Sequence, residues 1–116
     1  MRNLLLAAIA TVALFAAPSG FISAHPPIDI VASNWKFTPA EITVHVGETQ
    51  QLHLTSSEGV HGIQSDDLGI PQTTIMPNKF ADVSFTPKKA GTFVVHCSVV
   101  CGAGHADMAL KVNVQP

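Results

Sequence analysis

The stretch Phe93-Val-Val-His-Cys97-Ser-Val-Val-Cys101-Gly-Ala-Gly-His105-Ala-Asp-Met108-Ala-Leu110-Lys-Val112-Asn-Val114 contains two strand patterns joined by one short loop. Phe93, Val95 and Cys97 fall at alternate positions in the first, and Met108, Leu110, Val112 and Val114 alternate with Ala109, Lys111 and Asn113 in the second. A period of two puts each set on one face of a strand. The same period recurs upstream, at Ile28, Ile30 and Ala32, at Ile42, Val44 and Val46, at Leu52 and Leu54, and at Ala81, Val83 and Phe85. Gly47 follows the second of these runs, and Thr86-Pro-Lys-Lys-Ala-Gly91 closes the last. No segment sustains a 3.6-residue period. Short alternating runs punctuated by Gly and Pro turns predict an all-β antiparallel sandwich.

The joining loop carries chemistry as well as a turn. Cys97, Cys101, His105 and Met108 fall within twelve residues, with Gly102 and Gly104 giving the chain a tight path between them. Two thiols, an imidazole and a thioether are soft or borderline donors, a set that selects copper and gives zinc little use for the methionine. Cys97 ends one strand pattern and Met108 begins the next, so the donors gather at one end of the sandwich. A further imidazole from another loop at that end completes the set, and His61, between Gly59 and Gly62, is the best candidate.

Together, Cys97-Ser-Val-Val-Cys101-Gly-Ala-Gly-His105-Ala-Asp-Met108 and the upstream Val60-His61 resemble the dinuclear copper (CuA) domain of cytochrome c oxidase subunit II, over roughly residues 39–114. The resemblance implies a cupredoxin-like Greek-key sandwich with two copper ions. In such centres two cysteine thiolates bridge the ions, here Cys97 and Cys101. Each ion takes one histidine, here His61 and His105, and a methionine and a main-chain carbonyl complete the pair, here Met108 and Val99. The implied function is one-electron transfer with little reorganisation, by a carrier that is not itself an enzyme, in exchange with a c-type cytochrome or a terminal oxidase. The family usually has a glutamate where Val99 stands, its side chain reaching a magnesium site, and valine cannot supply that contact.

Other readings share these residues. In an oxidising compartment Cys97 and Cys101 alone would suggest a disulfide. Met108 fits the apolar face of its strand, and His61 by itself is an ordinary loop histidine. A mononuclear blue-copper site needs only Cys101, His105, Met108 and His61, leaving Cys97 spare. A copper-delivery or copper-holding protein would use the same donors with easier release. No acid, base or nucleophile constellation stands beside the donors to suggest an enzyme acting on a small molecule.

The N-terminus reads as an export signal. Met1-Arg2-Asn3 precedes an apolar run over residues 4–17, then Pro18, Ser19 and Gly20, with a small residue at Ala24. Residues 1–24 are expected to be a secretory signal peptide, with an uncleaved anchor over residues 4–22 as the alternative, and residues 25–116 one copper domain, which places the domain in the periplasm or otherwise outside the cytoplasm. No later run is apolar enough to span a membrane. Loss of Arg2 leaves five Lys or Arg residues against eight Asp or Glu residues, a net charge of about −3 that excludes nucleic acid as a natural partner.

The remaining polar and aromatic residues have simpler readings. His45 and His53 fall out of phase with their apolar neighbours and are expected on solvated faces. His96 is expected to point away from Cys97. His25 would become the first residue after cleavage and could chelate copper through its amine and ring, but Pro26 and the lack of a second matched histidine speak against a copper oxygenase. Trp35 and the phenylalanines are expected in the core. Glu58, Asp66 and Asp67 are expected to flank an exposed edge of His61, as a solvated face or a docking site for a basic redox partner.

Overall fold

The computed structural model describes residues 25–116 and residue 11. The expected signal peptide, residues 1–24, otherwise lies outside the described residues. Alternation of apolar and polar side chains produces nine strands among the described residues: β1 (Ile28–Ser33), β2 (Lys36–Thr38), β3 (Glu41–His45), β4 (Gln50–Ser56), β5 (His61–Ser65), β6 (Ile70–Ile75), β7 (Ala81–Phe85), β8 (Gly91–His96) and β9 (Ala109–Gln115). A single turn of 3-10 helix, His105–Asp107, interrupts the loop between β8 and β9. No helix among the described residues is long and apolar enough to cross a membrane.

The strands form a four-stranded sheet in the order β2-β1-β4-β7, a three-stranded sheet in the order β3-β9-β8, and a hairpin of β5 with β6. The core lies between the two larger sheets. Ile30, Ala32, Leu52 and Leu54 from the first meet Val44, Val95, Leu110 and Val112 from the second, all buried. Each of the Ile, Leu and Val side chains among them contributes about 1.5–3 kcal/mol by leaving water. On β9 the burial repeats the sequence pattern, with Leu110, Val112 and Val114 inside and Lys111 outside.

The pairing is mixed where alternation predicted antiparallel strands throughout. β1 runs parallel to β4, and β3 runs parallel to β9. The chain leaves the first sheet after β2, crosses to the second for β3 and returns for β4, which sets β1 and β4 side by side in one direction. Side-chain alternation is the same in both kinds of pairing and cannot distinguish them.

This topology builds one end of the sandwich from several elements. The β8–β9 ladder continues past the strands, with the Cys97 amide donating to the Met108 carbonyl at 3.0 Å. The Ser98 amide donates to the Gly62 carbonyl at 3.0 Å, binding the ligand loop to β5. A side chain at position 62 would collide with Ser98 and Val99, its Cβ falling 2.6 Å from Ser98 Oγ, so glycine lets loop and strand touch.

Candidate metal centre

His61 is the first residue of β5 and is fully buried, at 0 % exposure. It is therefore neither a loop residue nor an exposed imidazole edge, because the turn at Ser56–Val60 folds over it. In that turn Ser56 Oγ donates to the carbonyls of Glu58 and Gly59. Gly59 has a left-handed φ of +76°, and a Cβ there would lie 2.9 Å from Asn34 Oδ1 and 3.2 Å from His61 Nε2. His61 Nε2 lies 2.8 Å from the Glu58 carbonyl, which can only accept, so the ring proton sits on Nε2. Nδ1 keeps its lone pair and faces Cys97 Sγ at 3.9 Å. A backbone carbonyl that fixes the tautomer and orientation of an imidazole is the usual support of a metal-ligating histidine.

The two sulfurs follow. Cys97 is 4 % exposed, and its Sγ lies 3.5 Å from Cys101 Sγ and 3.2 Å from the Val99 carbonyl oxygen. Both are free thiols. Cys101 is half-buried, with His105 Nδ1 at 3.5 Å and Met108 Sδ at 3.8 Å from its Sγ. Met108 is fully buried and lies on the apolar face of β9, so it serves the core and the donor cluster together. Burial, with the Cys97 thiol alongside, pushes the Cys101 thiol up to about 11, so its proton is held at neutral pH until a cation displaces it.

All six residues named from sequence thus meet at one place. His61, Cys97 and Cys101 present ligand atoms within 4.8 Å of one another. His105 and Met108 join them through Cys101, and Val99 joins through Cys97. The Val99 side chain is turned to Gly62, leaving its carbonyl as the group toward the sulfurs. Nitrogen, thiol and thioether donors with one carbonyl match the preferences of copper better than those of a hard cation.

Trp35 corrects the sequence reading. It is 41 % exposed and lies across the ligand loop, its Nε1 donating to the Cys101 carbonyl at 3.1 Å. A Cβ on Gly104 would fall 2.5 Å from the indole ring, and one on Gly102, at φ +125°, would fall 3.1 Å from Nε1. The Gly104 backbone itself has an ordinary φ of −92°, so that glycine is required by the ring above it and not by the turn. The signal available in the sequence was this pair of glycines, which leaves a flat slot for an aromatic ring. Among the phenylalanines, Phe37 and Phe85 are core, whereas Phe80 is exposed and stacks on His53.

The acidic residues also separate. Glu58 accepts the Asn34 amide at the site end, while Asp66 and Asp67 follow the other end of β5, roughly 15 Å away at about 3.3 Å per residue. Four large apolar side chains, Trp35, Val60, Met76 and Val100, are exposed at the site end, beside the exposed polar residues Glu58, Ser98 and Asp107. His96 is exposed while Cys97 is buried, as strand alternation requires.

Comparison with known proteins agrees with this geometry. A family model described as a cupredoxin-like domain matches residues 5–106. Cytochrome c oxidase subunit 2 of Cereibacter sphaeroides is 29 % identical over 77 residues, covering 66 % of this chain and 25 % of the relative. The chain therefore corresponds to about a quarter of the length of that curated relative. The periplasmic domain of subunit II of cytochrome oxidase from Bradyrhizobium japonicum superposes with a TM-score of 0.71 at 19 % identity, covering 79 % of this chain and 85 % of that one. A chain of a heme-copper terminal oxidase dimer does so with a TM-score of 0.67 at 25 % identity, covering 77 % of this chain and 64 % of that one. The nine-stranded sandwich, the donor cluster at its end and the match over most of the sequence place this chain in the cupredoxin-like domain family, with its likeness to oxidase subunit II.

Proposed function

We propose that this chain is a copper-binding electron carrier with a dinuclear CuA-type centre, exported by a signal peptide cleaved after Ala24. The observation that carries the reading is the elongated shape of the donor set. Two thiols stand side by side at 3.5 Å, with His61 and the Val99 carbonyl on the Cys97 side and His105 and Met108 on the Cys101 side. His105 lies outside the compact group of His61, Cys97 and Cys101, so the donors suit a pair of ions bridged by the sulfurs better than one ion at a common centre. A bound copper pair would supply the one-electron oxidation and reduction.

The protein's contribution is to hold the donors still and dry. β8 and β9 fix Cys97 and Met108 through their shared hydrogen bond, the Glu58 carbonyl fixes the His61 ring, and Trp35 holds the Cys101 carbonyl. A site whose donors are already in place needs little rearrangement when its charge changes. Cys97 and Cys101 must lose their protons on loading, which ties metal uptake to pH. The apolar rim of Trp35, Val60, Met76 and Val100 is the surface on which a redox partner, a c-type cytochrome or a terminal oxidase, would dock.

A second reading, a mononuclear blue-copper carrier, is favoured by one local feature: Cys101, His105 and Met108 lie close enough together to serve a single ion. Reconstitution decides between them. The mature protein loaded with copper should bind two ions per chain, be purple and show an unpaired electron shared over two copper nuclei. One ion per chain with an intense blue band would establish the mononuclear site.

A further inference from the structure

The end of the sandwich opposite the thiols carries a second group of metal-capable side chains. β9 runs from the thiol end to Gln115, and β3 runs parallel to it, so His45 lies opposite Gln115 and roughly 20 Å from the Ala109 end, at about 3.3 Å per residue. The turn after β3 closes with the Glu48 amide donating to the His45 carbonyl at 3.2 Å. His25 reaches the same place from the N-terminal segment. Its Nε2 contacts Glu48 Oε2, and its ring stacks beside His45 with centroids 5.9 Å apart and planes inclined by 22°. The buried Gln50 side chain donates to the Pro26 carbonyl at 3.0 Å and pins the chain immediately after His25. Along the sequence no histidine is matched to His25; the fold brings His45 to it from twenty positions along the chain.

The chemistry of the three side chains is complementary. The Glu48 carboxylate accepts a hydrogen bond from His25 Nε2–H, which leaves Nδ1 with its lone pair, the arrangement by which a carboxylate orients a metal-ligating histidine. A first-residue histidine adds its α-amine, which with Nδ1 closes a six-membered chelate ring. Pro26 has no amide N–H, so the main-chain nitrogen cannot join the chelate and a further position stays open on the ion. His45 is the imidazole beside it. Nitrogen donors of this kind bind Cu(II) more tightly than the other first-row divalent ions.

We propose that processing after Ala24 frees the His25 amine, and that this amine, His25 Nδ1 and His45 hold a Cu(II) ion at the end of the sandwich remote from the thiols, with Glu48 as a positioning residue. The site shares no residue with the thiol centre and rests on the proposed cleavage after Ala24.

The test uses the full chain exported with its own leader. Intact mass should show a mature protein beginning at His25. After the thiol centre is saturated with copper, titration with Cu(II) followed by electron spin resonance should reveal one further ion with nitrogen ligands. Inserting one alanine ahead of His25 moves the amine away from the ring and should abolish that ion, as should His45→Ala. Glu48→Gln should weaken it by about 10- to 100-fold. The spectrum of the thiol centre should stay unchanged in every variant, which shows that each is folded. A mature chain beginning elsewhere, no further ion, or unchanged affinity in the alanine insertion would each overturn the proposal, leaving the three side chains as a packing contact with a hydrogen bond.

Discussion

The two sides of the candidate copper centre are built differently. On one side His61 is fully buried at the start of a strand, its ring held by the Glu58 carbonyl, and Cys97 lies at the end of β8, 4 % exposed. On the other, Cys101 and His105 belong to a loop and a single 3-10 turn, half-buried, and are steadied from outside by Trp35. Met108, fully buried, anchors that second side in the core, with Cys101 packed against it. Strands that also carry the fold hold their donors rigidly, whereas a short loop needs a cover. The first side is therefore expected to tie metal binding to fold stability, and the second to govern loading and contact with partners.

The largest effect that can break this comparison comes from the thiols. Cys101→Ser removes the donor on which both His105 and Met108 converge, and should leave no stable copper. Cys97→Ser leaves Cys101, His105 and Met108 together and should retain one copper, with the purple spectrum replaced by a mononuclear one. Metal analysis with optical spectra of the two variants checks this. An unchanged purple spectrum in Cys97→Ser would remove Cys97 from the donor set.

The histidines test the stability side. His61→Ala opens a cavity in a fully buried site and should lower the stability of the copper-free protein by about 2–3 kcal/mol. His105→Ala, on the half-buried turn, should cost less than about 1 kcal/mol of that stability while weakening copper binding. Denaturant unfolding of the metal-free variants measures both, and equal losses would erase the distinction between the two sides.

The pH dependence follows from Cys101. Its thiol is raised from 9.0 to about 11, chiefly by burial, so at neutral pH Cys101 keeps its proton in the metal-free protein. Loading should release that proton, and copper affinity should rise about tenfold per pH unit for each proton released. The raised value also means that the metal-free fold favours the neutral thiol. Its contribution to stability is complete below about pH 9 and is lost as the pH rises through about 11. Competition with a chelator across neutral pH measures the first effect, and a flat profile would show that Cys101 enters the complex without losing a proton.

The smallest expected effect concerns the cover. Trp35→Phe keeps an aromatic ring over Gly102 and Gly104 but loses the hydrogen bond to the Cys101 carbonyl. It should cost about 0.5 kcal/mol of stability, the low end for a hydrogen bond, because this one is exposed. Faster copper loss to a chelator should accompany it, because the loop that holds Cys101 is less restrained. A variant that retains copper as firmly as the parent would mean that the ring alone holds the loop.

Much of this molecule could be read in advance because its information is local. The alternation in β1, β3, β4, β7, β8 and β9 marks the strands and their buried faces, and Cys97, Cys101, His105 and Met108 lie so near in sequence that their meeting needs only a turn. His61 was legible through its resemblance to a known pattern, but its place inside the protein was not, since burial depends on the turn that closes over it. Glu58, Asp66 and Asp67 look like one cluster along the chain, yet β5 separates them by its own length.

By itself the sequence determined the all-β class, the faces of most strands and the donor types, because side-chain periodicity and ligand chemistry are properties of neighbouring residues. The tertiary structure decided what depends on distant segments meeting: the parallel pairings of β1 with β4 and β3 with β9, the Glu58 carbonyl on His61, the indole over Gly104, and the juxtaposition of His25 with His45. Each joins residues whose relation is set by how the chain crosses between sheets, and no local pattern encodes that crossing.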